Sequence, residues 1–199
     1  DSDTVQVIVR PNPISVAGPD QLICAGDSVQ LGGPNTPGYT YSWSPANGLN
    51  NTVISDPVLT LSNPGSVPDT LVYVVTTTLN GCVTSDTVTV ISSPVPVANA
   101  GTDAVICSGQ SVQIGAAAVP GYSYSWNPST GLSSGSVADP LATLINAGTQ
   151  PDTISFVVTA GAFGCFDNDT VEVVVKPLPV SQAGPDVTLC GSDTVTIGS

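Results

Sequence analysis

The chain has 199 residues, fifteen acids against two basic residues, no histidine and a net charge of −13. A surface so poor in Lys and Arg excludes charge-driven partnership with nucleic acid or anionic lipid, because phosphate contacts need clustered cations. The lack of histidine excludes His-based acid–base catalysis and nucleophile relays, and together with the lack of a CxxC pair it argues against a zinc site.

Residues 1–10 open on the alternation Val5, Val7, Val9 against Gln6, Ile8, Arg10. That period of two predicts a strand, the last strand of a preceding repeat. The core of this stretch, Asp-Thr-Val-x-Val, returns at Asp86 and Asp169. Pro11-Asn12-Pro13 follows, and Pro94-Val95-Pro96 and Pro177-Leu178-Pro179 punctuate the chain at the same phase. Each Pro-x-Pro favours extended, semi-rigid backbone, so these segments are expected to space adjacent domains in file.

Ala17-Gly18-Pro19-Asp20 predicts a turn, echoed by Ala100-Gly101-Thr102-Asp103 and Ala183-Gly184-Pro185-Asp186. A short strand runs to Cys24, and a second covers residues 28–31 with Val29 and Leu31 on one face. Tyr39-Thr40-Tyr41-Ser42-Trp43-Ser44-Pro45 comes next and returns as Tyr122-Ser123-Tyr124-Ser125-Trp126-Asn127-Pro128. On a strand, Tyr39, Tyr41 and Trp43 share a face, which predicts an aromatic core layer. An exposed aromatic platform for carbohydrate is the alternative. Residues 58–61 form a short strand; residues 69–76, apolar on both faces, form a central one. Asn80-Gly81 makes a tight hairpin turn into the final strand, which starts at Cys82.

Subtracting positions gives 83 for Trp43 to Trp126, Cys24 to Cys107, Cys107 to Cys190 and Cys82 to Cys165. The period divides the chain into residues 1–10, repeat A (11–93), repeat B (94–176) and the start of a third repeat (177–199). About seven strands per repeat, closely spaced turns and no helical period predict an all-β fold of tandem two-sheet antiparallel sandwiches.

Cys24 and Cys82 are 58 residues apart, as are Cys107 and Cys165. Each repeat is therefore expected to own one disulfide, Cys24–Cys82 and Cys107–Cys165, leaving Cys190 over; free buried thiols are the other reading. A loop of that length would restrict the unfolded chain by roughly 4 kcal/mol, a large share of a small domain's stability. Disulfides imply an oxidising compartment outside the cytosol. No apolar run has transmembrane length and no signal peptide is recognisable, so no membrane insertion is expected. Since the chain opens and closes inside repeats, it is expected to be a segment of a longer secreted polypeptide.

Ala17-Gly18-x-Asp20-x-x-x-Cys24, then Tyr41-Ser42-Trp43-x-Pro45-x-x-Gly48-Leu49, Asp56-Pro57, Asp69-Thr70, Gly81-Cys82 and Asp86-Thr87-Val88-x-Val90 resemble the PKD-like, immunoglobulin-like repeats of very large Bacteroidota surface proteins. The resemblance covers essentially the whole chain and extends to adhesins of the gliding-motility and type nine secretion class. It implies an extracellular, cell-surface stalk or filament, with a surface or glycan ligand at a tip outside this chain. It also implies O-glycosylation at Asp, then Ser or Thr, then an apolar residue. Thr4, Ser28, Thr70, Thr87, Thr153, Thr170 and Thr194 meet that pattern; an Asp turn before a strand-starting Thr is also ordinary β grammar.

Serine is plentiful but nothing activates it, and the acids fall one per turn, so no enzyme is expected. No cofactor is expected either. Calcium is the inorganic candidate: Asp1 and Asp3, or Asp167 and Asp169, are close enough in sequence for oxygen ligation near a domain end, with Asp20 or Asp186 across the linker. Repeat B's Asp167-Asn168-Asp169 is replaced in repeat A by Thr84-Ser85-Asp86, and no EF-hand loop exists. The resulting reading is the shaft of a surface adhesin or filament. Its partners are further copies of its own repeat, in one chain or by homo-assembly. A carbohydrate-binding accessory module of a secreted enzyme is the alternative.

Overall fold

The computed structural model describes residues 1–180 and 186–196; the turn expected at Ala183-Gly184-Pro185 falls outside them. Among the described residues there are twelve strands and no helix. Repeat A supplies β1 (Gln21–Cys24), β2 (Ser28–Gln30), β3 (Thr40–Ser44), β4 (Val58–Thr60), β5 (Asp69–Leu79) and β6 (Cys82–Ser93). Repeat B supplies β7 (Ala104–Cys107), β8 (Ser111–Gln113), β9 (Ser123–Asn127), β10 (Leu141–Thr143), β11 (Asp152–Ala162) and β12 (Cys165–Lys176). Each strand of the second set begins and ends 83 positions after its counterpart, so the sequence period is also the structural period.

In each repeat a four-stranded sheet faces a two-stranded one. The orders are β1-β6-β5-β3 with β2-β4, and β7-β12-β11-β9 with β8-β10. This is an immunoglobulin-like sandwich with six strands per repeat rather than about seven. It is also not purely antiparallel. β1 runs parallel to β6, pairing Gln21 with Val90 and Cys24 with Ser93, and β7 runs parallel to β12. β1 meets β6 at the sheet edge with no hairpin between them, and only a hairpin would force antiparallel pairing.

Residues 1–10 carry no strand and are exposed, despite the alternation of Val5, Val7 and Val9. Their counterparts in β6 and β12 have a hairpin partner beside them, which residues 1–10 lack among the described residues. The counterparts of β7 and β8 within residues 186–196 likewise carry no strand.

Two compact units emerge. The first joins Asp1–Ala98 with Val119–Tyr124 and Thr159–Asn168; the second holds Asn99–Ala118, Ser125–Val158 and the chain from Asp169. The core of the first is Ala17, Ile23, Leu31, Trp43, Leu59, Leu61, Tyr73, Val75, Val88 and Val90. Leu31, Trp43 and Tyr73 are at most 3% exposed. In the second, Ile114, Trp126, Phe156, Val158, Val171 and Val173 are buried at corresponding places.

Burial alternates along β5 at Tyr73, Val75 and Thr77, and β5 lies between β6 and β3, the central place expected of it. Leu79 pairs with Cys82 across Asn80 (φ 49°) and Gly81 (φ 84°), the two-residue hairpin that Asn-Gly predicts. Gly32, with φ 77°, passes so close to the Ser55 carbonyl and the Trp43 ring that a Cβ would collide with both.

The Pro-x-Pro segment between the repeats is not an exposed spacer. Pro94, Pro96 and Ala98 are buried and alternate with exposed Val95 and Val97. A semi-rigid extended segment presents one face like a strand, and the first unit packs against that face.

Candidate functional site

The acidic residues are the only abundant charged groups of this chain, and most have structural work. Asp86 Oδ2 accepts the Ala17 N–H at 2.8 Å and its Oδ1 accepts the Thr87 N–H at 2.9 Å. Asp169 does the same for Ala100 and Thr170, both at 2.8 Å. Asp20 Oδ1 accepts from Thr89 N at 2.8 Å, and Asp103 Oδ1 from Glu172 N at 2.9 Å. Ala17, Ala100, Thr89 and Glu172 each lie 69 residues in sequence from the carboxylate that accepts from them. The two carboxylates therefore tie the entry segment of a repeat to its last strand from both sides. A hydrogen bond to an ionised acceptor is worth more than a neutral one, and here it satisfies an N–H of a buried alanine, Ala17 or Ala100.

Of the calcium candidates, Asp167 Oδ2 accepts the Ala98 N–H at 2.9 Å, while Asp169 is held as described. In repeat A the position of Asp167 is Thr84, whose hydroxyl lies 2.8 Å from Ser15 Oγ and donates to Pro13 O at 2.9 Å. Asp3 Oδ1 accepts from Thr4 N at 2.8 Å; Asp1 and Asp3 are exposed. Among the described residues no three His, Cys, Asp or Glu side chains come together to hold a metal ion. Thr4, Ser28, Thr70, Thr87, Thr153, Thr170 and Thr194 are all exposed.

The aromatic motif divides as a core layer does. Trp43 is 3% and Trp126 4% exposed. Their indole N–H groups donate to Ile54 O at 2.9 Å and Val137 O at 2.8 Å. The Tyr41 and Tyr124 hydroxyls accept the Thr36 and Val119 N–H groups at 3.0 and 2.9 Å. Tyr39 and Tyr41 remain half-buried and line a shallow depression of about 270 Å³ with Ile14, Val16 and Pro34. The Tyr73 hydroxyl donates to Asn47 O at 2.6 Å, and burial pushes its pKa above the ordinary 10.0.

The cysteines depart from expectation. Cys24 is bonded to Cys165, 141 residues on, and Cys82, Cys107 and Cys190 are unbonded. The Cys24–Cys82 and Cys107–Cys165 pairings are thereby corrected. Cys24 ends β1 at one end of the four-stranded sheet, while Cys82 follows the hairpin turn that begins at Asn80. In the parallel register Cys24 stands opposite Ser93, and in the hairpin Cys82 stands opposite Leu79, so the length of β6 separates them. What meets Cys24 is the turn of the next repeat. Gly164 of that turn lies beside Leu22, and Ala160, Ala162 and Cys165 around it are buried. Closing a 141-residue loop corresponds to about 5 kcal/mol in the chain-entropy model.

No protein-family model matches the chain, and no curated protein sequence matches it. Among solved structures it is similar to an I-band fragment of titin, with TM-score 0.44, 11% identity, and coverage of 85% of this chain and 67% of that one. It is also similar to extracellular domains 3–5 of Drosophila OTK, with TM-score 0.47, 12% identity, and coverage of 81% and 60%. These are likenesses to immunoglobulin-like tandem domains. The immunoglobulin-like fold of this chain rests on its own two sheets and buried tryptophans.

Sequence reasoning placed Asp20, Asp86, Asp103 and Asp169 in turns and missed their long-range role. The spacing of 69 from Ala17 to Asp86 recurs from Ala100 to Asp169, but the 83-residue period alone makes it recur, so spacing carried no sign of the contact.

Proposed function

We propose that this chain is a structural, non-enzymatic segment of a long extracellular repeat protein, forming the shaft of a surface adhesin or filament. The observation that carries the reading is the Cys24–Cys165 bond, which ties repeat A to the turn of repeat B. A cross-link between successive repeats serves cohesion along an array, and it suits an oxidising exterior. The carboxylates point the same way, since the repeated ones hold backbone N–H groups instead of converging on a substrate. No helix among the described residues is long and apolar enough to cross a membrane.

The sequence resemblance supplies the finer reading, a Bacteroidota adhesin of the gliding-motility class. On that reading the exposed hydroxyls of the Asp-Ser/Thr-apolar motifs carry glycans, and an intact mass equal to the bare chain would remove that part. A carbohydrate-binding module is disfavoured, because Trp43 and Trp126 are buried and leave no indole platform. Cryo-electron microscopy of the native material tests the central reading. Two sheets about 10 Å apart give a domain roughly 25 Å across. A fibre of that width with one domain per axial period is expected of a covalent shaft; separate globular particles would contradict it.

A further inference from the structure

We propose that Cys82 and Cys107 are the two open halves of further cross-links of the Cys24–Cys165 kind. Each takes as partner a cysteine in the adjoining copy of the 83-residue repeat, so that disulfides form a ladder along the array. The inference rests on the array reading above and adds its covalent connectivity.

The cysteines fall into two classes. Cys24, Cys107 and Cys190 end the first strand of a repeat or stand at that position, and Cys82 and Cys165 follow the hairpin turn. The bond that is formed joins one class in repeat A to the other in repeat B. Its period-shifted equivalents are Cys107 with the hairpin cysteine of a following repeat, and Cys82 with the first-strand cysteine of a preceding one.

Burial follows the same division. Cys165 is 1% exposed where it meets its partner, while its counterpart Cys82 is half-buried. Cys24 is half-buried, whereas its counterpart Cys107 is exposed. Ser93 and Pro94, at the bonded end of repeat A, are buried; Lys176 at the corresponding end of repeat B is exposed. Cys82 and Cys107 thus have the same strand positions as bonded cysteines and lack only the cover.

A second contact places a neighbour at Cys82. In the parallel registers Cys24 pairs with Ser93 and Cys107 with Lys176, so residue 10 is the position that a preceding first-strand cysteine would face. Arg10 Nη1 donates to Asn80 O at 2.9 Å, in the turn that leads into Cys82. The strand-end position therefore already lies against the turn that carries the hairpin cysteine. The chain's two basic residues, Arg10 and Lys176, both occupy this position, one period to either side of Ser93. Lys176 is placed to donate to the turn carbonyl of a following repeat as Arg10 does to Asn80.

Formation of each rung consumes a low-molecular-weight disulfide as oxidant. The two thiols release two protons and two electrons, one S–S bond forms between them, and the oxidant's S–S bond is reduced to two thiols.

The test lengthens the full chain by a second copy of residues 94–176 after Lys176, keeping the period. The added first-strand cysteine and the final one are changed to Ser, and the added copy carries Phe166→Tyr as a mass marker beside its hairpin cysteine. After folding with oxidised and reduced glutathione, free thiols are alkylated and the unreduced chain is mapped. The expected result is Cys24 linked to Cys165, Cys107 linked to the marked peptide, and alkylation at Cys82 alone. Alkylation of Cys107, or any other partner for it, with Cys24–Cys165 intact overturns the ladder and leaves the array reading standing. Loss of Cys24–Cys165 as well overturns both.

Discussion

Tyr73 and Phe156 occupy the same place in the two repeats, each fully buried, and differ by one hydroxyl. That difference gives repeat A a pH dependence that repeat B lacks. Burial raises the Tyr73 pKa above 10.0, so above that pH the unfolded chain releases the phenol proton while the folded chain keeps it. The unfolded state then binds fewer protons, and stability falls as pH rises. Tyr73→Phe is expected to remove this alkaline loss in urea titrations between pH 9 and pH 11, with repeat B as internal control. At Asp86 a larger effect is expected. Asp86→Ala leaves the N–H of fully buried Ala17 without its acceptor, a cost of about 1–3 kcal/mol. A lowered urea midpoint with unchanged slope would show it, and no shift would mean that water replaces the carboxylate.

At the scale of strands, what could be read from the sequence was what depends on neighbours along the chain. Period-two alternation located β3 and β6, a run apolar on both faces located β5, the Asn80-Gly81 turn fixed the β5–β6 hairpin, and burial of Trp43 followed from its face of β3. What could not be read depends on elements that meet without a hairpin. The parallel pairing of β1 with β6 is one case, since no local signal in residues 21–24 distinguishes the two directions. The disulfide is another. Equal spacings of 58 suggested bonds within each repeat, yet an exact repeat makes a bond within a unit and a bond to the next unit indistinguishable by spacing. Only the position of Cys24 and Cys82 at different ends of β6 separates the two readings. Cys165→Ser is expected to cost roughly 2–5 kcal/mol and to leave Cys24 open to alkylation. Cys82→Ser is expected to change the stability of this chain little. Equal effects of the two substitutions would contradict the assignment.

For the whole molecule, the reach of the cross-link matters more than its strength. A span of 141 residues exceeds the period of 83, so in the proposed ladder successive rungs would overlap and interior residues would lie within at least one closed loop. Between Cys165 and Cys190, where one rung ends and the next but one would begin, only 25 residues would carry the shortest covalent route. That is about 90 Å of extended chain for every two repeats, against about 580 Å without the bonds. A shaft built this way resists lengthening even after its sheets yield.

Single-molecule stretching of the 199-residue chain from its ends, under oxidising and then reducing conditions, tests this most directly. With Cys24–Cys165 closed, the 58 residues outside the loop (199 less 141) should let the chain reach about 200 Å end to end before it stops lengthening. Reduction should release the rest, to about 700 Å. An oxidised limit near 290 Å, as bonds within each repeat would give, or no difference on reduction, would contradict a shaft cross-linked from repeat to repeat.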